Sequence, residues 1–545
     1  MMKLISSLQL HKRFILTLLL LAVFLWSLTS IHWNRELFHA GGIPTMLQIF
    51  EGLIQPNLAP SILLAGLESA WITLAYAVAG MSLAIVYAFI VGVLASGTLT
   101  TSKFSRFISK VFFRGILGFT RSIHELIWAW LFVAAVGLSP YAAILALAIP
   151  YGGILGRIFA DMLNDVPVEP IIALKAAGSS RLQTLVYGYL PLVWADFISY
   201  TMYRFECAIR SSAIMSFVGL GGLGFQIQLA LSDLKYDAVW TFVFFLIALV
   251  IFVDGWSHLV RKGLTDHKRK SVFASGWMSV LFATLLIMGS WMYITYGENA
   301  RLYELFSEKN MEYAKKFFGG LLGINQENPA FLDGESWANV LKLTLETLEM
   351  SIMAIGFSTI VAFITVIPAA RNIANGNLTL KKRWYNWPLF AFIRLLYIFS
   401  RSVPELVWAM MIIFIFKPGI LPGALALALH NFGILGKLWA EVVEDMDPRP
   451  IRNLAASGAS KIEILFYGIL PIVLPRFLTY ILYRWEVIMR TTIVVGFVGA
   501  GGLGMDFKLA MSYFNYTQIT LLLLCYMILV LIADFASETT RKAVK

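Results

Sequence analysis

Long apolar runs alternate with short polar intervals along the whole chain, and the runs have the length of membrane spans. Residues 14–31, 61–95, 240–253, 272–294, 341–367 and 520–531 with their flanks read this way, since roughly 20 apolar residues at helical rise cross a bilayer core. Finer intervals thread the first half. A first span exits near residue 31, residues 32–60 form an outside loop, and a second span returns by about residue 95. Spans are expected at about 115–137 and 141–163, from about 185, and at about 238–260, with a polar cytoplasmic stretch at 164–184. Lys3, Lys12 and Arg13 precede the first run as in a signal peptide. The run is of full span length and no small-residue cleavage site follows it, so it is expected to be retained.

Composition agrees with this pattern. The chain has 545 residues, 59% hydrophobic and 14% charged, with a mean hydropathy of +0.75. A soluble chain holds about 45–50% apolar and about 25% charged residues. The net charge of +11 would suit a nucleic-acid partner, but its distribution does not. Bases fill two loops without acids, Lys103, Arg106, Lys110 and Arg114 in one and Arg371, Lys381, Lys382 and Arg383 in the other; Arg261, Lys262, Lys268, Arg269 and Lys270 follow another span, and Arg541, Lys542 and Lys545 close the chain. Segment 297–338 has seven acids against four bases. Basic loops inside and an acidic one outside make the excess topological, and no nucleic acid is expected. Cys207 and Cys525 suggest neither a disulfide framework nor a metal site.

The chain repeats itself 280 residues on. Arg121-Ser-Ile-His-Glu-Leu-Ile-Trp-Ala129 recurs as Arg401-Ser-Val-Pro-Glu-Leu-Val-Trp-Ala409, Gly219–Gly224 as Gly499–Gly504, and Asp254 as Asp534. The match needs no gap over more than 130 residues, which marks a duplication. Residues 1–270 and 271–545 are then two six-helix copies in one orientation. A parallel repeat implies a pseudo-two-fold along the membrane normal, with a substrate path on it. The fold class is all-α integral membrane, of about twelve spans.

The polar stretch before the fifth span carries the most specific motif. It runs from Ile172 through Ala173, Ala176, Ala177 and Gly178 to Leu190-Pro191, and recurs from Arg452 through Leu454, Ala455, Ala456 and Gly458 to Leu470-Pro471. Thirteen residues separate Gly from Pro in both. Glycine would let a short interfacial helix turn close to a partner, and proline would break the run where the next span begins. An ordinary amphipathic helix would explain one such segment; the same spacing twice favours a coupling lever. The motif resembles the EAA loop of bacterial ABC importer permeases, although the family's glutamate falls on Ile172 and Arg452. Arg401–Trp408, Tyr483-Arg-Trp-Glu486 and Gly496–Gly504 resemble the phosphonate-type permeases in particular.

Charges also lie inside apolar sequence: Arg121 and Glu125, Arg401 and Glu405, and the sets Arg204, Glu206, Arg210 and Arg484, Glu486, Arg490. The i, i+4 spacing places Arg121 with Glu125, and Arg401 with Glu405, on one helical face. Such charges face a bundle interior or a watery path. They either attract an oxyanion, which suits guanidinium, or staple helices as ion pairs. Gly219–Gly224 follows no strand and reads as a turn or re-entrant loop, not a dinucleotide site.

The resemblance implies a permease of the bacterial cytoplasmic (inner) membrane, both termini cytoplasmic, performing no covalent chemistry and binding no cofactor. ATP would be bound by a separate ATPase, in two copies, docked on 164–184 and 444–464. A periplasmic or lipid-anchored solute-binding protein would deliver a small oxyanion: phosphonate, phosphite or phosphate. An ion- or proton-coupled secondary transporter, or a scaffold or sensor subunit without transport, are the rival readings.

Overall fold

The computed structural model describes every residue except 1, 32, 34–36, 40, 266–275, 325, 377–383 and 545, with backbone alone for 2–13, 265, 276, 461 and 543–544. The bases Lys268, Arg269, Lys270, Lys381, Lys382, Arg383 and Lys545, and the side chains of Lys3, Lys12 and Arg13, lie outside the described residues.

Among the described residues the chain is helical, apart from an isolated bridge between Phe38 and Phe416. The first copy runs α1 (Met2–Ser27), α2 (Gly42–Ile54), α3 (Pro60–Ser96), α4 (Lys103–Ser122), α5 (Glu125–Val136), α6 (Pro140–Asn164), α7 (Val168–Ala176), α8 (Arg181–Gln183), α9 (Leu190–Met215), α10 (Leu223–Ser232) and α11 (Tyr236–Thr265). The second runs α12 (Gly276–Met292), α13 (Glu308–Leu321), α14 (Gly334–Val366), α15 (Arg371–Ala374), α16 (Asn386–Ser402), α17 (Glu405–Ile413), α18 (Ile420–Glu444), α19 (Arg449–Ala456), α20 (Lys461–Glu463), α21 (Leu470–Val495), α22 (Gly502–Ser512) and α23 (Tyr516–Val544). Among the described residues eight helices are long and apolar enough to cross a membrane, and bent pairs bring the count to 11. With α1, whose apolar stretch Phe14–Ser30 is shorter, each copy has six span positions.

In the third span the structure departs from the sequence expectation. Instead of one straight helix, α4 and α5 meet at 90°, as do α16 and α17. The physical cause lies at the joint. Pro404 lacks an N–H and pushes Val403 out of helical geometry. In the first copy His124 caps α5 instead, its Nδ1 accepting from the Leu126 N–H at 3.2 Å. Arg121 and Glu125 therefore flank a bend and do not share a helical face, and the same holds for Arg401 and Glu405.

Packing follows small residues. Ala75, Ala77, Ala79, Gly80, Ala84 and Ala88 of α3 are buried, as are Ala142, Ala143, Ala146, Gly152 and Gly156 of α6, its packing partner. Small side chains let backbones approach where no hydrophobic effect drives helices together. The chain falls into two compact units, Glu51–Gly320 and Met1–Phe50 with Leu321–Lys545. These differ from the sequential division at 270/271, because the first helix of each copy packs on the other copy's second. Phe24 of α1 meets Phe357 edge-on at 5.4 Å and fills the notch left by Gly356. Trp291 of α12 donates from Nε1 to Ser82 Oγ of α3 at 3.1 Å.

Candidate functional site

The two polar segments fold alike. Helix α7 ends at Gly178, whose φ of +85° is the left-handed geometry that favours glycine. There the Gly178 N–H donates to Lys175 O (3.0 Å) and the Ser179 N–H to Leu174 O (3.2 Å). Gly458, also at +85°, closes α19 in the same way, donating to Ala455 O at 3.2 Å. A capping box follows each time. The Ser180 N–H donates to Gln183 Oε1 at 2.8 Å, and the Ser460 N–H donates to Glu463 Oε2 at 2.7 Å. Glu463 is held below the usual carboxylate range by the hydrogen bonds from the Ser460 backbone and hydroxyl.

Proline does not break the run that follows. A π-helical turn, Thr184–Tyr189 or Ile464–Ile469, joins directly to α9 or α21, with Pro191 and Pro471 in the first turn of the new helix. Proline removes one N–H and crowds the carbonyl four residues back. The wider turn, in which Leu190 N–H bonds to Leu185 O, relieves that crowding. The short helix is pinned to this turn. A Cβ on Gly188 would lie 2.8 Å from Leu174 Cδ1 and 2.9 Å from Ile171 Cδ1, and one on Gly468 2.8 Å from Ile451 Cδ1. The segment is thus a rigid bracket on the head of a span. Its outward face exposes Ala173, Ala176, Ala177, Gly178, Leu182 and Tyr187 in the first copy, and Ala456, Gly458, Ile462 and Tyr467 in the second. Ile172 and Arg452, where the family's glutamate would fall, are exposed too.

The intramembrane charges sort into two groups. Glu206 accepts from Arg261 Nη2 at 2.8 Å, with Arg210 and Asp254 within electrostatic reach. At the matched positions Arg490 bridges Glu486 (2.6 Å) and Asp534 (2.9 Å), and Arg541 reaches Glu486 at 3.2 Å. Each is a four-member set of two carboxylates and two guanidiniums tying the fifth span to the sixth. Arg204 and Arg484 look elsewhere. Arg204 donates to Tyr200 Oη (2.9 Å from Nε) and lies over the Tyr200 and Tyr203 rings. Arg484 donates to Asn431 Oδ1, 3.1 Å from Nε. At the bends, Ser211 Oγ donates to Glu125, and Tyr151 Oη lies 2.8 Å from Ser211 Oγ.

The family described as binding-protein-dependent transport system inner membrane component matches twice, at residues 88–266 and 373–544. The chain belongs to that family. Among relatives of this permease, the phosphate-import permease protein PhnE of Mycolicibacterium smegmatis is 27% identical over 391 residues, covering 72% of this chain and 70% of that one. The phosphite transport system permease protein PtxC of Stutzerimonas stutzeri is 36% identical over 221 residues, covering 40% and 74%. Of solved structures, a chain of the MetNI methionine ABC transporter is 19% identical with a TM-score of 0.35, covering 39% of this permease and 99% of itself.

Sequence reasoning missed two features of the permease. Asp254 and Arg261, like Asp534 and Arg541, complete the charge sets from a helix about 50 residues further on, and only their recurrence at the repeat offset marks them. A histidine also stands beside each bend glutamate, from different helices. His124 Nε2 is 3.6 Å from Glu125, whereas in the second copy His430 of α18 is 3.6 Å from Glu405. Where one copy has histidine the other has proline: His124 matches Pro404, and Pro150 matches His430.

Proposed function

We propose that this permease supplies both halves of the translocation path for a small phosphorus oxyanion (phosphonate, phosphite or phosphate), fed by a separate solute-binding protein and driven by two separate ATPase subunits that bind the ATP. The observation that carries the reading is the pair of matched brackets, each a short exposed helix pinned through Gly188 or Gly468 to the head of a span. A motor that moves the bracket moves the span, and alternating access follows from rocking of the two copies. Family membership supports ATPase and binding-protein partners in general. The substrate class rests on the relatives' names and on the likeness to phosphonate-type permeases. The basic loops support a cytoplasmic side for the brackets and both termini.

Arg204 and Arg484 are the proposed anion guides, since guanidinium matches a phosphorus oxyanion in two-point hydrogen bonding. The four-member sets, with Arg210 and Arg490, and the bend residues Arg121, Glu125, Arg401 and Glu405 are proposed as structural ties. Proteoliposomes holding the permease, its ATPase and its binding protein test the reading. Uptake of labelled phosphite or phosphonate should require ATP hydrolysis and be indifferent to a proton gradient. Uptake driven by a proton gradient without ATP would replace the reading with secondary transport.

A further inference from the structure

A cavity of about 260 Å³ lies behind the first bracket, between the end of α3, the start of α4, the end of α6 and α7. Its polar lining, besides Tyr189, is Ser96, Thr98, Arg106, Lys110, Asn164 and Lys175, and no carboxylate lines it. Lys110 Nζ donates to the neutral Asn164 Oδ1 at 3.0 Å. The nearby Asp161 is taken by Arg114 at 2.7 Å. Arg106 and Lys175 have no acidic partner among the described residues. The Arg106 and Lys110 stems are seated on Gly97, at φ +70°, where a Cβ would lie 2.8 Å from Arg106 Cγ and 3.3 Å from Lys110 Cε. The cations are thus placed by the fold.

Among the described residues the second copy has no such cluster. Positions 106, 110, 164 and 175 correspond there to Asn386, Phe390, Glu444 and Ala455. Glu444 is an internal counter-ion, held by Arg394 at 2.5 Å and by the Arg371 N–H at 2.7 Å. Three cations around one cavity repel one another, and burial of an anion among them relieves that repulsion.

We propose that this cavity binds a phosphate-class oxyanion group, carried by free inorganic anion or by an anionic lipid headgroup, which bridges Lys175 of α7 to Arg106 of α4. The inference concerns the first copy alone and holds whatever the translocated substrate is. Its consequence is a bracket stiffened only in that copy.

Full-length protein in phosphatidylcholine nanodiscs is titrated with inorganic phosphate at constant ionic strength set by chloride, following thermal unfolding. Retained phosphatidylglycerol is measured separately by native mass spectrometry. The variants are Arg106→Gln with Lys175→Gln, both exposed side chains, and Asn164→Glu, with Lys235→Gln as control. A saturable phosphate response, weakened at least tenfold in the double variant and in Asn164→Glu but unchanged in the control, assigns the site to the free anion. No phosphate response, with lipid retention falling at least tenfold in the same variants, assigns it to the lipid. A phosphate response undiminished in these variants, or no response with equal lipid retention, overturns the proposal.

Discussion

At position 164 the first copy carries asparagine, and at the matched position 444 the second carries glutamate. Around this difference the two matched ends diverge. In the second copy Arg394 and Glu444 neutralise each other, while in the first Arg114 turns to Asp161 and Lys110, Arg106 and Lys175 face a cavity. The brackets beside them stay alike, down to a φ of +85° at both glycines. Duplication has thus kept the bracket geometry while freeing the surrounding charge to change. The bends show the same liberty, with a histidine beside each glutamate delivered from a different helix.

The largest expected effect tests what the copies share. Arg490→Met would leave Glu486 and Asp534 without their common cation, and loss of one partner of a buried pair costs about 3–5 kcal/mol. Thermal unfolding should show that loss, with part recovered when Asp534→Asn is added. A loss below about 1 kcal/mol would mean that the set is not a tie.

A smaller pair of effects tests where they differ. Glu444→Asn should cost about 1–3 kcal/mol, the range for a charge-assisted hydrogen bond left with an unsatisfied partner. Asn164→Glu should be neutral or gain up to about 1 kcal/mol, as for a partly exposed ion pair. Equal and opposite shifts of similar size would show that the two ends are equivalent and the contrast only apparent.

Much of this was legible in the sequence, and the rest was hidden for identifiable reasons. A gapless offset exposes the duplication, and the Gly178–Pro191 spacing exposes the bracket, because both are properties of chain order. The 90° bends depend on one proline in the second copy and on a histidine side chain acting as a cap in the first, so a run of apolar residues such as Leu126–Trp130 gives no warning. Pro191 looked like a helix end, and only the π turn ahead of it shows how the helix continues. The exchange of first helices depends on Phe24 finding Gly356, more than 300 residues away, and no local pattern records that.

The smallest effect separates the two capping boxes. Glu463 holds a depressed pKa through Ser460, so its contribution is present above the ordinary carboxylate range and is lost as pH falls through its lowered value. Gln183 at the matched position does not titrate. Hydrogen exchange of the 460–469 amides should therefore accelerate at acid pH relative to the 180–189 amides, and equal behaviour would refute a capping role for the Glu463 charge.

If two matched brackets couple the permease to its motor, as proposed, uptake by glycine variants shows it most directly. At Gly178 and Gly458 a Cβ meets nothing within 4 Å, and Asp tolerates the left-handed region better than most side chains, so Gly178→Asp and Gly458→Asp should insert and fold. Each places a carboxylate on the exposed face of its bracket. In ATP-driven proteoliposomes either single variant should lower uptake and the double variant should abolish it, at unchanged protein incorporation. Wild-type uptake by the double variant would contradict the account.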